Sequence, residues 1–429
     1  MKRLPARVSA ILTIVGVVVV VAATILLALN LLIGNKQIDS RLAPEFAVDT
    51  PEFQRTMGTV LEPALVEGNR VRALVNGDQI FPAMLDAIRS AQKSVTLETY
   101  IYWSGPVGKE FAEALRERAR QGVRIDVIID WFGSELDDVL REQMQRSGIA
   151  IHRYNPLAWT TLDRINHRTH RRLLVVDGQV GFIGGAGISD KWSGDAEGPA
   201  HWRDTHFQVE GPVVAQLQSA FLDHWIKTAG EVPRSEAFLP PLKPRGEARA
   251  HVFKASPGGG AKSMQLMYLL SISSARKSID LSAAYFLPDE VALRSLVAAM
   301  NRGVRLRVIM PGPYMDVSLV ARSSRAKWGA LLAAGAELYQ YQPTMFHCKV
   351  MVVDGLWVSV GSTNFDSRSF TINDEANLNV YDGAFARAQT EIFERDLERS
   401  KRFTSADWEA LPWWTKAVDV TATALDSQL

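Results

Sequence analysis

His347-Cys348-Lys349, closed by Asp354-Gly355, is the stretch that decides how this chain is read, because a weaker copy, His170-Arg171-Arg172 closed by Asp177-Gly178, lies half a protein upstream. His347 and Lys349 stand two apart, so on a strand the imidazole and the ammonium point to one face. His170 and Arg172 repeat that relation. Two such elements facing each other can meet across one phosphate. Exchange at a phosphodiester needs a nucleophile, an acid for the departing alkoxide and positive charge around the phosphate oxygens, and the paired motifs supply all three.

The motif is one of four matches that run in the same order through both halves. Ala91-Gln92-Lys93-Ser94-Val95-Thr96-Leu97 corresponds to Ala275-Arg276-Lys277-Ser278-Ile279-Asp280-Leu281. Gly122-Val123-Arg124-Ile125-Asp126-Val127-Ile128 corresponds to Gly303-Val304-Arg305-Leu306-Arg307-Val308-Ile309. Gly148-Ile149-Ala150-Ile151, with Tyr154 and Pro156, corresponds to Gly335-Ala336-Glu337-Leu338, with Tyr341 and Pro343. Within each half, strand-like runs such as 123–129 alternate with helical ones such as 107–121, where Val107, Phe111, Leu115 and Ala119 recur every fourth residue. The expected fold class is α/β, with two similar βαβ-rich halves packed about a pseudo-twofold axis that brings the two motifs together.

The second motif runs on into Gly361-Ser362-Thr363-Asn364, and this H-x-K-x4-D pattern resembles the signature of the phospholipase D superfamily. The resemblance extends from about Gly68 to about Arg402. It implies that one of His170 and His347 attacks phosphorus, leaving a phosphohistidine, while the other protonates the leaving oxygen and later deprotonates the incoming hydroxyl. Lys349, Arg172, Asn364 and Ser362 are the candidate phosphate contacts. Asp177 and Asp354 complete the candidate catalytic set at the ends of the motif strands, in an orienting or structural part. Two acids that align between the halves, Asp204 and Glu375, take by the same resemblance the place of carboxylates that contact the catalytic histidines.

The first copy departs from the pattern twice. Arg172 stands where lysine is usual, which keeps the charge but changes the geometry. Gly184-Gly185-Ala186-Gly187 has glycine where the second copy has Asn364, so one polar contact to phosphate is expected to be missing. Phrases such as Leu97-Glu98-Thr99-Tyr100-Ile101-Tyr102, Trp202-Arg203-Asp204 and Asn373-Asp374-Glu375-Ala376-Asn377-Leu378 are similar to the bacterial cardiolipin synthase branch. That branch implies transfer of a phosphatidyl group between two phosphatidylglycerols, with release of glycerol.

Composition bounds these readings. Lysine and arginine (48) balance aspartate and glutamate (47), so the whole chain lacks the basic footprint of a nucleic-acid binder, and no nucleic-acid partner is expected. Arg116, Arg118, Arg120 and Arg124 are interleaved with Glu113 and Glu117 and read as a solvated helix face. The lone Cys348 excludes an intramolecular disulfide, and no calcium or zinc spacing is present, so no metal and no cofactor are expected. His167 and His170 have a metal-like spacing, but the Leu173-Leu174-Val175-Val176 run behind them reads as a strand.

From Ala10 to Ile33 the chain is almost wholly apolar, and about 20 such residues suffice to cross a bilayer as a helix. The expected organisation is a transmembrane anchor at 1–36, a tether at 37–68, halves at 69–245 and 246–402, and a tail at 403–429 whose Trp413-Trp414 suits a membrane interface. Lys2, Arg3 and Arg7 precede the span, which leans toward a single-pass protein of the bacterial cytoplasmic membrane with its catalytic part outside the cytoplasm. The expected partners are membrane phospholipids, phosphatidylglycerol first, and no protein partner is inferable. The rival readings are a membrane-tethered hydrolase or nuclease of the same superfamily, and a noncatalytic lipid-binding scaffold. The segment 157–166, with Trp159, is extra to the first half and is expected to cover the site, to touch acyl chains or to be a passive loop.

Overall fold

The computed structural model describes residues 6–32, 46–159, 164, 166–233, 236–257 and 264–428. The chain opens with helix α1 (Ala6–Leu32). Val17, Val18, Val19 and Val20 on it are 57–64% exposed, so among the described residues this stretch of the helix has no apolar packing partner. Among the described residues no helix is long and apolar enough to cross a membrane; the backbone of α1 is helical for 27 residues, but its described side chains end at Ile25.

Helix α2 (Pro51–Val60) overturns the expected tether. Thr50 caps it by accepting the Phe53 amide, and Pro51 sits in the first turn, where a missing N–H leaves no bond unmade. Phe53 and Met57, one turn apart, are buried with Val48 and Leu61 among Met267, Ile272 and Trp357 of the second half. The Phe53 and Trp357 rings meet edge to face at 5.1 Å.

The first half comprises β1 (Val66–Val75), α3 (Asn76–Ser90), β2 (Ser94–Thr99), α4 (Pro106–Arg120), β3 (Arg124–Asp130), α5 (Asp138–Arg146), β4 (Ala150–Tyr154), β5 (Leu173–Val176), β6 (Val180–Gly184), β7 (Thr205–Glu210) and α6 (Val214–Ala229). The second comprises β8 (Ala248–Ala255), α7 (Met264–Ser274), β9 (Ser278–Ala283), β10 (Phe286–Leu287), α8 (Glu290–Asn301), β11 (Arg305–Pro311), α9 (Ser318–Ala333), β12 (Glu337–Tyr341), β13 (Lys349–Val353), β14 (Trp357–Gly361), β15 (Phe365–Asp366), α10 (Ser367–Thr371), β16 (Glu375–Tyr381), α11 (Gly383–Glu398) and β17 (Ser400–Phe403). β17 pairs antiparallel with β12 at the edge of the second half's sheet. Helices α12 (Ser405–Glu409) and α13 (Trp413–Ala422) follow. Arg325 grips Asp419 with two bonds of 2.6 and 2.8 Å and ties α13 to α9, leaving Trp413 and Trp414 76% and 58% exposed.

Strand order is β1-β7-β6-β5-β2-β3-β4 in one half and β8-β16-β14-β13-β9-β11-β12 in the other, and β1 pairs with β8 so that one sheet runs through both. In this sheet the described pairs β2-β3-β4 and β9-β11-β12 are parallel, as is the separate pair β10-β15; the histidine-motif strands β5 and β13 lie antiparallel to β2 and β9. Each half is therefore less purely βαβ than the alternation suggests. β2 is buried along its whole length, as a strand covered on both faces must be, and reads accordingly as a nearly unbroken core run.

A core of Leu173, Ile183, Phe207 and Leu217 from the first half and Val352, Val360, Leu378 and Phe385 from the second fills the space between them. The contacts across it are reciprocal. Thr169, just before the first histidine, bridges Asp374, and Phe346, just before the second, bridges Arg203. Arg203 and Asp374 are themselves equivalent positions, and exchange of equivalent contacts is the mark of a twofold relation.

Candidate active site

Each histidine is held by the half it does not belong to. The His170 amide donates to the Asp374 carbonyl at 2.9 Å, and the His347 amide donates to the Arg203 carbonyl at 2.7 Å. The residue after each anchor is the acid: His170 Nδ1 lies 2.8 Å from Glu375, and His347 Nδ1 lies 2.7 Å from Asp204. Both rings line one cavity of about 350 Å³, with Arg172, Asn364, Tyr100, Tyr285 and Asp366 among its walls.

Burial, which alone would raise the Glu375 pKa, is outweighed by His170, the Ser362 hydroxyl and Arg172, so it is held below the usual range. Asp204 is lowered in the same way, against burial, by His347 and Lys349. Burial and then Arg172 press the His170 pKa down to about 4. Burial and then Lys349 press that of His347 down to about 3. A neutral imidazole beside an ionised carboxylate must place its proton on Nδ1, which leaves Nε2 of each ring unprotonated and able to accept a hydrogen bond.

The cations fold back on the rings. Arg172 donates to the His170 carbonyl at 2.6 Å and to its Nε2 at 3.0 Å. Lys349 Nζ donates to the His347 carbonyl at 2.9 Å and stands 3.2 Å from its Nε2. Arginine in the first copy thus makes with two nitrogens the pair of contacts that lysine makes with one. Asn364 lines the cavity with a buried side-chain oxygen that has no partner among the described residues, as a group kept for a ligand would.

The structure gives Asp177, Asp354 and Ser362 partners within the fold. The Asp177 and Asp354 carboxylates lie at the far ends of β5 and β13, where each accepts three backbone amides, from Gln92, Lys93 and Ser94 and from Arg276, Lys277 and Ser278. Both residues adopt positive φ, 51° and 53°, in Asp-Gly hairpin turns, so they build the turns and do not reach the cavity. The Ser362 hydroxyl donates to Glu375 and orients the acid. At the equivalent Gly185, a Cβ would stand 2.4 Å from the Asp204 carboxylate, and the indole N–H of Trp192 donates to Asp204 instead at 2.9 Å. His206 is buried with a pKa lowered to about 4, first by burial, and both of its ring nitrogens lack partners among the described residues. Much of the 157–166 segment falls outside the described residues, although Trp159 itself is 92% exposed.

Sequence reading assigned no part to the second layer. His224 on α6 bonds Glu98 and, at 3.1 Å, Asp374. Burial and Arg171 lower its pKa, but these two carboxylates outweigh them and raise it. Reciprocally, Arg203 of the first half grips Asp396 on α11 of the second with bonds of 2.8 and 2.7 Å. The two anchors that carry the acids are thus fixed by ion pairs of opposite polarity. Arg203 and Asp374 were visible inside motif phrases, but their partners lie 193 and 150 residues away and leave no local signal.

A family model described as "Cardiolipin synthase, PLD-like domain" matches residues 84–225 and 268–397, one histidine motif in each stretch. Cardiolipin synthase A of Pseudomonas fluorescens is 32% identical over 341 residues, 79% of this chain and 71% of that protein. Cardiolipin synthase 2 of Bacillus anthracis is 33% identical over 333 residues, 77% of this chain and 65% of that protein. Among solved structures, a phosphatidylserine synthase of Haemophilus influenzae superposes with a TM-score of 0.67 at 12% identity, over 88% of this chain and all of that one, a likeness of fold.

Proposed function

The chain belongs to the cardiolipin synthase family with phospholipase D-like domains, and on that premise we propose that it joins two phosphatidylglycerols into cardiolipin and releases glycerol. The observation that carries this reading is the single cavity lined by His170 and His347, each with Nδ1 on a carboxylate. Nε2 of one histidine attacks the donor phosphorus. The bond from phosphorus to the glycerol oxygen breaks, and the other imidazole, protonated, gives that oxygen its proton. A phosphohistidine remains. The second imidazole, now neutral, takes the proton of the acceptor hydroxyl, whose oxygen attacks phosphorus as the P–N bond breaks.

Lys349, Arg172 and Asn364 stabilise charge on the phosphate oxygens, with Arg172 leaving Nε2 of His170 for the phosphate when substrate enters. Glu375 and Asp204 keep each ring in the reactive tautomer and stabilise it when protonated. Helix α1 serves as the membrane anchor, since 27 helical residues span about 40 Å at ~1.5 Å per residue, more than the ~30 Å hydrocarbon core. The exposed Trp413 and Trp414 favour a body lying against the bilayer of a bacterial membrane.

Purified protein in phosphatidylglycerol vesicles is expected to yield cardiolipin and glycerol in equal amounts. Phosphatidic acid as the main product would replace the transferase with a hydrolase, nucleotides from single-stranded DNA would replace it with a nuclease, and no product would leave a lipid-binding scaffold.

A further inference from the structure

We propose that Arg168 and Arg368 form a second anion subsite in the catalytic cavity, and that it holds the phosphodiester of the acceptor lipid. The inference rests on the reading of the site as a phosphatidyltransferase and names what selects its second substrate. Both side chains line the cavity that His170 and His347 share, and they come from different halves. Arg168 lies two residues before His170; its carbonyl accepts the Asp374 amide at 2.8 Å, and its guanidinium stands 4.3 Å from the Phe132 ring centroid. Arg368 sits on α10 and donates to the Asn166 carbonyl and side-chain oxygen at 2.9 Å each.

The two guanidiniums act on each other: the Arg368 pKa is lowered, by burial first and by Arg168 next. Asp366 and Asp130 oppose this effect. Asp130 accepts the amides of Phe132, Gly133 and Thr169, and Asp366 caps α10 by accepting the Ser369 amide. Like charges gathered in a partly buried cavity are stabilised by an anion between them, and a phosphodiester supplies that charge.

Position gives that anion its identity. Tyr100 meets His170 edge-on at 5.2 Å and lines the cavity together with Arg168 and Arg368. The second pair of cations therefore shares one cavity with the reacting imidazole, while Lys349 and Arg172 attend the reacting phosphate. Joining two phosphatidylglycerols leaves two phosphodiesters bridged by one glycerol. The acceptor must bring its own phosphate to a place one glycerol away from the phosphorus under attack. Water or free glycerol as acceptor brings no such charge.

Two measurements test this. In the first, wild-type protein and the R368Q, R368K and R168Q variants are given phosphatidylglycerol with isotope-labelled glycerol, so that cardiolipin formation and headgroup exchange are read in one reaction. R368Q and R168Q are expected to lose at least tenfold more cardiolipin formation than exchange, and R368K to recover most of it by charge alone. Parallel loss of both products, or an R368K as impaired as R368Q, would overturn the subsite. In the second, calorimetric titration with methyl phosphate is expected to find two anions per wild-type chain and one in the R168Q/R368Q double variant. One anion in wild type overturns the subsite even if cardiolipin is made. Two anions without cardiolipin or exchange support the subsite and overturn the transferase reading alone.

Discussion

Glu375 lies 2.8 Å from the imidazole of His170, 205 residues earlier in the chain and in the opposite half. The pair formed by Asp204 and His347, at 2.7 Å across 143 residues, is its mirror. The duplication has not produced two sites but one, with each acid delivered by the half that lacks the histidine it serves.

Replacing one acid should therefore disable the other half's imidazole. Glu375→Gln and Asp204→Asn are each expected to lower cardiolipin formation by roughly 10²–10⁴-fold, the range for losing the partner that fixes an acid-base histidine. Steady-state lipid product analysis on variants with unchanged circular dichroism checks this. A fall of less than fivefold would remove the acids from the mechanism.

With pKa values near 4 and 3, both imidazoles are neutral in the free protein at pH 7, yet departure of glycerol needs one of them protonated. An anion beside a neutral imidazole raises its pKa, so binding of methyl phosphate at pH 7 is expected to take up about one proton. Calorimetry in buffers of different ionisation enthalpy measures the uptake. A value near zero would mean that the acid is another group.

Burial lowers the Lys349 pKa to about 8, so its charge is complete below that value and is lost as pH rises through it. Activity is expected to fall above about pH 8 in the wild type. In Lys349→Arg the same limb should move to pH 10 or higher, because guanidinium stays protonated. An unmoved limb in a rate profile would assign it to a different residue.

Asp354 stands across the length of β13 from Lys349, roughly 16 Å at about 3.3 Å per residue. Asp354→Ala removes the acceptor for three backbone amides and is expected to cost about 2–3 kcal/mol of stability, with turnover per folded molecule within twofold of wild type. Urea unfolding read beside activity separates the two effects. A large loss of turnover without loss of stability would restore a catalytic role to this aspartate.

Phe53 is fully buried against the second half, so Phe53→Ala should destabilise the protein by about 3–5 kcal/mol, as for a large aromatic removed from a core. A tether would tolerate the change, and a thermal midpoint within a degree or two of wild type would return 46–61 to that status.

The repeat, the paired histidines and the two acids were legible because each is carried by residues close in sequence that alternate on a strand or recur in both halves. The crossing of acids and histidines was not, since a contact between residues 170 and 375 leaves no periodicity to read. The α2 stretch was mistaken for a tether because its buried face shows only Phe53 and Met57 among polar neighbours, too few for a periodic pattern. The Ser362 bond to Glu375 was not legible either, because a hydroxyl in a motif says nothing about which oxygen it faces. No motif marks Trp192, whose indole N–H is informative only beside the Asp204 carboxylate.

The swap of acids also sets how this protein can be cut or inherited. Severed between β7 and β8 and produced as two polypeptides, each fragment would carry an imidazole without its carboxylate and a carboxylate without its imidazole. Neither fragment is a smaller enzyme, and chemistry returns only on reassembly. Selection on either histidine is therefore selection on both coding halves at once.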